Sequence, residues 1–251
     1  MKRQALIISN PGEIGGENYC RGVLKDVENY RSFLRSAIGG AWKDTEIAEM
    51  PRPSAVDVEL KVKALSAFDY VLIVFSGHGW HSTTLDSTVL TLRTGQEIAS
   101  ADLRLAATSQ TIILDCCRVK HAGLPEVRKR ALDEMLAKSA SRFNREDCRR
   151  YYDKRIGECE GKLVVMYSCG ADQTAADDDQ RGGVYSYSLL EACNDFAEKS
   201  TVDISRGYEI CSVVQAHEAA GTRVKLNSGS RQTPQIEKPR TSPYFPLCIV
   251  A

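Results

Sequence analysis

The sequence lacks the features that would assign it to several large classes of proteins. No apolar run approaches the roughly 18 residues that a membrane-spanning helix requires. The nine cysteines are scattered and include no CxxC pair, so a structural zinc knuckle is not predicted. Lysine plus arginine equals aspartate plus glutamate, 33 of each, and this balance favours neither nucleic acid nor an anionic membrane as a partner.

Nucleotide-binding and secretion signals are also missing. Gly12, Gly15 and Gly16 follow the first apolar run, but their spacing is not GxGxxG and no Gly-Lys-Ser/Thr follows. We interpret these glycines as a flexible loop. The apolar stretch Ala5–Ile8 is too short for a signal peptide. The missing signal peptide and the odd number of cysteines favour a reducing compartment, so we expect a cytoplasmic protein. We expect neither a cofactor nor a metal.

Short apolar runs alternate with helical patterns along the chain. Tyr70–Phe75 is continuous and β-branched, which is typical of a strand that is covered on both faces. The predicted strands are Ala5–Ile8, Glu46–Met50, Tyr70–Phe75, Thr111–Leu114, Leu163–Tyr167 and an edge strand over Tyr244–Val250, with a hairpin over Thr88–Leu92 and Gln96–Ile98. The alternation predicts an α/β fold with a mostly parallel sheet and helices on both faces.

Helical spacing of apolar residues predicts the connecting segments. The predicted helices are one in which Val23, Leu24, Val27, Tyr30, Phe33 and Leu34 recur at helical spacing, one that Ser54 caps and whose stripe is Val56, Leu60, Ala64 and Phe68, and three over Ala101–Ala107, Tyr185–Glu198 and Tyr208–Ala219. The polar stretch Thr222–Lys238 is predicted to be a long surface loop.

Two predicted strands end in turns that carry reactive side chains. The first continues as Ser76-Gly77-His78-Gly79, and the second ends in Asp115-Cys116-Cys117. Ligands of parallel sheets bind beyond the carboxyl ends of the strands, so both turns are expected at one edge. There His78 would take the proton of the Cys117 thiol and return it to a leaving amine. The N–H groups of Gly79 and Cys117 would form an oxyanion hole.

These turns resemble the motifs of metacaspases, which belong to the caspase-fold cysteine peptidases. Ser76–Gly79 resembles their Ser-Gly-His-Gly turn, and Asp115–Cys117 resembles their Asp-Ser-Cys. Weaker similarity extends over nearly the whole chain: Leu6–Asn10, Gly22–Asp26, Tyr167–Gln173 and Gly182–Ser186 resemble other family segments. The chain departs from the family where metacaspases read Cys-His-Ser-Gly, because this chain reads Cys117-Arg118-Val119-Lys120 there.

The resemblance implies a fold, an activity and a specificity. It implies a three-layer caspase-like α/β sandwich of about six strands, as one domain over residues 1–251. Residues 1–120 would be large-subunit-like, 121–160 a basic helical segment and 161–251 small-subunit-like. The activity would be that of an endopeptidase on a protein or peptide substrate, with roles in cell death or defence. Whether an activating partner or ligand is needed is left open by the resemblance. No calcium requirement is expected, because the family's calcium-binding aspartates have no clear match.

The resemblance also implies that Asp26, Ser76 and Asp115 line the primary specificity pocket. Carboxylates there favour a guanidinium or ammonium group, so cleavage after arginine or lysine is expected. Self-cleavage is a further hypothesis, at Arg128-Lys129-Arg130, Arg149-Arg150 or Lys154-Arg155.

Other interpretations of these residues remain open. One alternative is a catalytically idle interaction or regulatory module, and another is an aspartate-specific caspase-type enzyme, for which Arg118 gives slight support. The alternative for Asp26 is a solvated residue in the first turn of a helix, and the alternative for Asp115 is the cap of the following turn. Asp177-Asp178-Asp179 is interpreted as a solvated loop.

Overall fold

A six-stranded sheet forms the centre of the structure, a computed structural model that describes residues 1–106, 109–118, 142–159, 161–201, 203 and 207–251. Its strands are β1 (Arg3–Asn10), β2 (Ile47–Pro51), β3 (Tyr70–Gly77), β7 (Ser109–Cys116), β8 (Leu163–Tyr167) and β12 (Gln235–Glu237). They lie in the order β12-β8-β7-β3-β1-β2. Five of them, β1, β2, β3, β7 and β8, run parallel, and β12 pairs antiparallel with β8.

Small strands and five helices complete the described fold. The small strands are β4 (Gly79–Ser82), β5 (Ser87–Thr91), β6 (Glu97–Ala99), β9 (Asp177–Asp178), β10 (Gly182–Gly183), β11 (Glu209–Ser212) and β13 (Pro246–Val250). The helices are α1 (Gly22–Arg35), α2 (Ala55–Leu65), α3 (Arg145–Gly157), α4 (Val184–Lys199) and α5 (Val213–Ser228). Among these helices, none has the length and apolar character that crossing a bilayer needs.

The central sheet is covered on both faces, which confirms the predicted three-layer sandwich. Successive side chains of a strand point to opposite faces. Ile7 therefore packs with the residues of α1, α3, α4 and α5. Its neighbour Ile8 packs on the other face with Val58, Val62 and Leu65 of α2. This double coverage explains why the central strands are continuous apolar runs rather than alternating ones.

The apolar stripe predicted for α2 is wrong, because a different face of the helix packs against the sheet. Ser54 caps α2 as expected, with its Oγ accepting from the Asp57 N–H at 3.1 Å. However, Val56 and Leu60 are 62% and 63% exposed, and Val58, Val62 and Leu65 face the sheet instead. Both sets have helical spacing, and the set that faces the sheet is decided by tertiary packing.

The carboxyl-terminal third differs most from the sequence predictions. Residues 222–238 are not one surface loop, because α5 extends to Ser228 and β12 forms the edge of the central sheet. The predicted helix over Tyr208–Ala219 begins instead at Val213, after strand β11. The last strand, β13, is fully buried and pairs with β11 rather than with the central sheet.

Two smaller expectations also need correction or fall outside the described residues. Residues 101–106 do not form an α-helix, because Ser100–Leu103 is a short 3₁₀ turn; residue 107, the end of the predicted helix, lies outside the described residues. The predicted hairpin over residues 88–98 is confirmed as β5 and β6. Of the basic middle segment, residues 119–141, including Arg128-Lys129-Arg130, lie outside the described residues.

Candidate active site

The two reactive turns leave neighbouring strands at the same edge of the sheet. β3 and β7 are adjacent and parallel, with Gly77 opposite Cys116. The next residues along the two strands are His78 and Cys117, and both line one cavity with about 320 Å³ of empty space. The other lining residues are Cys20, Val23, Asp26, Ser76, Gly77, Asp115, Cys116, Ala175, Ala176, Asp177 and Gly183.

The imidazole of His78 is held close to the loop that follows β1. A Cβ on Gly77 would lie 2.6 Å from the carbonyl oxygen of Asn10, so glycine permits this close approach of β3 to β1. A Cβ on Gly12 would lie 3.2 Å from Nε2 of His78. That nitrogen is buried and has no hydrogen-bond partner among the described residues. The imidazole therefore retains an unused nitrogen at the cavity.

The thiol of Cys117 is in a resting arrangement. Its Sγ donates to the carbonyl oxygen of Ala175 at 3.5 Å. Burial raises the pKa of this thiol, and the charges of Asp115 and Asp177 raise it further. In the empty cavity Cys117 is therefore a protonated thiol rather than the thiolate that acts as a nucleophile.

Arg118, the residue after this thiol, points away from the cavity. Its guanidinium donates to Oγ1 of Thr88 at 3.0 Å and to Oε1 of Gln235 at 2.8 Å. It also lies over the ring of Tyr167, 4.5 Å from the centroid. Arg118 thus connects the hairpin to the edge of the sheet, and it is not among the cavity-lining residues.

Asp26, Ser76 and Asp115 lie together in the buried part of the cavity. Asp26 accepts from Oγ of Ser76 at 2.6 Å and from the N–H of Gly183 at 2.9 Å. Asp115 accepts from the N–H of Ser186 at 2.9 Å. Burial raises the pKa of both carboxyls, and that of Asp26 is raised further by the charge of Asp115. Neither carboxyl is a solvated residue, since both are at least 95% buried.

Asp177 is a third carboxyl in this cavity, and the sequence analysis missed it. It belongs to β9, which pairs with β10, and its Oδ2 accepts from the N–H of Gly22 at 3.2 Å. Burial, followed by the charge of Asp115, raises the pKa of Asp177 to about 6. The interpretation of residues 177–179 as a solvated loop is therefore wrong for Asp177 and for buried Asp178, and only Asp179 is exposed.

Five of the six predicted site residues line the cavity: His78, Cys117, Asp26, Ser76 and Asp115. The sixth, Gly79, begins β4 beside the cavity, where a Cβ would lie 2.8 Å from Sγ of Cys116. Cys20 was also missed. Its thiol lies close enough to Cys117 for their charges to interact, and burial raises its pKa to about 12.

Comparisons with known proteins agree with this geometry. The family model described as "Caspase domain" matches residues 2–245. The chain therefore belongs to the caspase-domain family of cysteine peptidases. The crystal structure of caspase-1 from Spodoptera frugiperda has the same fold, with a TM-score of 0.59 at 10% identity, over 94% of this chain and 86% of that one. No match to a curated protein sequence was found.

Proposed function

We propose that the chain is a cysteine endopeptidase that cleaves proteins or peptides after arginine or lysine, with Cys117 as nucleophile and His78 as acid and base. The observation that carries the proposal is the content of one cavity. It holds the imidazole of His78, the thiol of Cys117 and three carboxyls, and no lysine or arginine among the described residues lines it.

The chemistry follows from the two side chains at the strand ends. His78 takes the Cys117 proton, and the thiolate attacks the scissile carbonyl carbon. The tetrahedral intermediate collapses as His78 protonates the leaving amine, which leaves a thioester on Cys117. Water then attacks the thioester, gives its proton to His78 and releases the acid product. Cys117 must first break its hydrogen bond to Ala175.

The specificity follows from the charge of the pocket. A guanidinium or ammonium group would neutralise the negative charge of Asp26 and Asp115 and donate charge-assisted hydrogen bonds to their carboxylates. An aspartate side chain would add a further negative charge and meet no cation, because the side chain of Arg118 is engaged elsewhere. Arginine or lysine is therefore the better fit, and the aspartate-specific alternative is disfavoured.

The resting geometry of Cys117 favours one second candidate, a catalytically idle regulatory module. The thiol donates to a backbone carbonyl instead of His78, and its pKa is raised rather than lowered. A peptidase requires the opposite state during turnover, so catalysis requires a rearrangement of the thiol.

A panel of fluorogenic peptides distinguishes these functions. The peptides differ only in the residue before the reporter, which is arginine, lysine, glutamine or aspartate. We expect release from the arginine and lysine peptides and loss of at least 10³-fold activity in Cys117→Ala and His78→Ala, since each removes one half of the dyad. Cys159→Ala serves as a matched control outside the cavity. Cleavage of the aspartate peptide alone, or none in a folded protein, would contradict the proposal.

We also infer that residues 1–251 act as one peptidase domain and that the protein works in a reducing compartment. All nine cysteines are free in the structure, and three of them, Cys20, Cys116 and Cys117, line the cavity. Cys117 can act as the nucleophile only while it remains reduced.

A further inference from the structure

Asp177 lines the same cavity as the acidic pocket residues Asp26 and Asp115 and the candidate nucleophile Cys117. Its carboxylate rests against the first turn of α1, where a Cβ on Gly22 would lie 2.1 Å from Oδ1. Gly22 therefore allows the carboxylate to occupy a position that any side chain at residue 22 would block. The pairing of β9 with β10 links this position to Gly183, which donates to Asp26.

The charges that face Cys117 are negative. Asp115 and Asp177 act on its thiol, and Asp26 is a third carboxyl of the same cavity wall. The one basic side chain among the described residues of this wall is His78. The titratable groups of the cavity and around the thiol are Asp26, Asp115, Asp177, Cys20, Cys116, Cys169 and His78. Forming a thiolate here places a new negative charge beside two existing ones in a partly buried site, which is unfavourable.

A cation in the pocket changes this balance, because it sits among the same carboxylates. We propose that Asp177 makes the reactivity of Cys117 depend on a basic side chain in the pocket, so that the substrate's own cation permits ionisation of the nucleophile. The inference rests on the proposed function. The cation offsets the charge of Asp115 and Asp177, and the thiol proton then passes to His78.

This coupling between the pocket cation and Cys117 would discriminate between substrates at the chemical step as well as in binding. A peptide with a neutral residue before the scissile bond leaves Asp177 and Asp115 uncompensated, so Cys117 stays protonated. Neutral substrates should therefore react slowly even when they are bound. Asp177 is a specificity-determining residue in this account, and it acts on the thiol without touching the reacting carbonyl.

Alkylation of the thiol tests the coupling without any substrate turnover. Iodoacetamide forms a carbon–sulfur bond with the thiolate and releases iodide, and peptide mapping by mass spectrometry follows Cys117 separately from Cys20. The probe is methylguanidinium, a small cation that carries the same charged group as an arginine side chain. Its control is N-methylurea, which is similar in size and neutral.

We expect methylguanidinium to accelerate alkylation of Cys117 about three- to tenfold at pH 7.5, because one unit of thiol pKa is a tenfold change in thiolate. N-methylurea should have no effect. In Asp177→Asn the rate without cation should rise and the acceleration should fall below twofold. Asp177→Glu should retain it. Asp86→Asn, an exposed change on the turn after β4, should behave as wild type.

A cation that slows alkylation or leaves it unchanged in the wild type overturns the coupling. Equal acceleration in Asp177→Asn and wild type also overturns it. The cleavage panel separates this failure from that of the proposed function. If arginine peptides are cleaved while methylguanidinium has no effect on alkylation, the specificity stands and the coupling is wrong. If no basic peptide is cleaved and the cation has no effect, both are wrong.

Discussion

Gly77 and Cys116 stand opposite each other in neighbouring parallel strands, and this register brings the next residue of each strand to the same cavity. The sheet therefore brings an imidazole and a thiol to one cavity although they are 39 residues apart in the sequence. The third component is the acidic wall, which comes from α1, β7 and the β9–β10 hairpin. Each prediction below changes one of these components.

The backbone of β10 allows the pocket to stay open. A Cβ on Gly183 would lie 2.3 Å from Oδ2 of Asp115, so Gly183→Ala must displace a pocket carboxyl. We expect the KM for an arginine peptide to rise at least tenfold, with a loss of about 1–3 kcal/mol in unfolding free energy from overpacking. Gly221→Ala is the matched control, because a Cβ there meets nothing within 4 Å in α5. It should leave KM unchanged and stabilise the helix by about 0.5–1 kcal/mol.

The uncompensated charge of Asp177 should lower the stability of the empty protein. Its folded pKa, about 6, lies above its value of 3.8 in the unfolded chain. A raised carboxyl pKa means that stability is present at low pH and is lost as pH rises from about 4 through about 6. Asp177→Asn removes this loss and keeps an oxygen for Gly22. Allowing for partial exposure, we expect about 1–2 kcal/mol of stabilisation at pH 7.5 by urea denaturation. The gain should vanish at pH 4. Destabilisation at pH 7.5 would contradict the electrostatic account.

Binding of a cation should expel protons from the pocket. Burial raises the pKa of Asp26, Asp115 and Asp177, and the charge of Asp115 raises the pKa of Asp26 and Asp177 further. A bound cation favours the charged forms of all three. Titration calorimetry with methylguanidinium at pH 6, in buffers of different ionisation enthalpy, should show release of about 0.5–1 proton. The release should decrease in Asp177→Asn. Proton uptake on binding is incompatible with raised carboxyl pKa values.

The structure restricts where the chain can cut itself. Arg149-Arg150 and Lys154-Arg155 lie in α3, where the Arg149 guanidinium pairs with the Glu46 carboxylate. A peptidase cleft binds the backbone on both sides of the scissile bond in an extended conformation, and a helical backbone does not have that conformation. If self-cleavage occurs, intact-mass analysis of wild type against Cys117→Ala should show no cut at these four positions. A cut within α3 of the folded protein would mean that this helix unravels before cleavage.

The sequence predicted the centre of the fold more accurately than its periphery. Strands such as β3 are buried on both faces, so their apolar runs are unbroken and their type is unambiguous. The turns after β3 and β7 were predictable because parallel strands place their carboxyl ends together. By contrast, β12 has only three residues, and its assignment depends on pairing with β8, which local sequence does not encode.

The site was predictable where a motif and a strand end coincide. Asp26, Ser76 and Asp115 belong to segments with family resemblance, and all three line the cavity. Asp177 lies in an acidic run whose composition is typical of solvated loops. Its role depends on a two-residue strand pairing and on the absence of a side chain at Gly22. The signal that could have revealed it was Gly182-Gly183 shortly downstream, which marks a close backbone approach.

The most direct test of the account is covalent labelling with an electrophile that carries arginine. A peptidyl-arginine acyloxymethyl ketone should modify the wild-type chain at Cys117, as mapped by tandem mass spectrometry, and the matched aspartate reagent should not. Labelling should disappear in His78→Ala and should slow in Asp177→Asn. Modification of Cys20 or Cys116 instead, or equal labelling by the arginine and aspartate reagents, would contradict the central claim that Cys117 acts beside an acidic pocket.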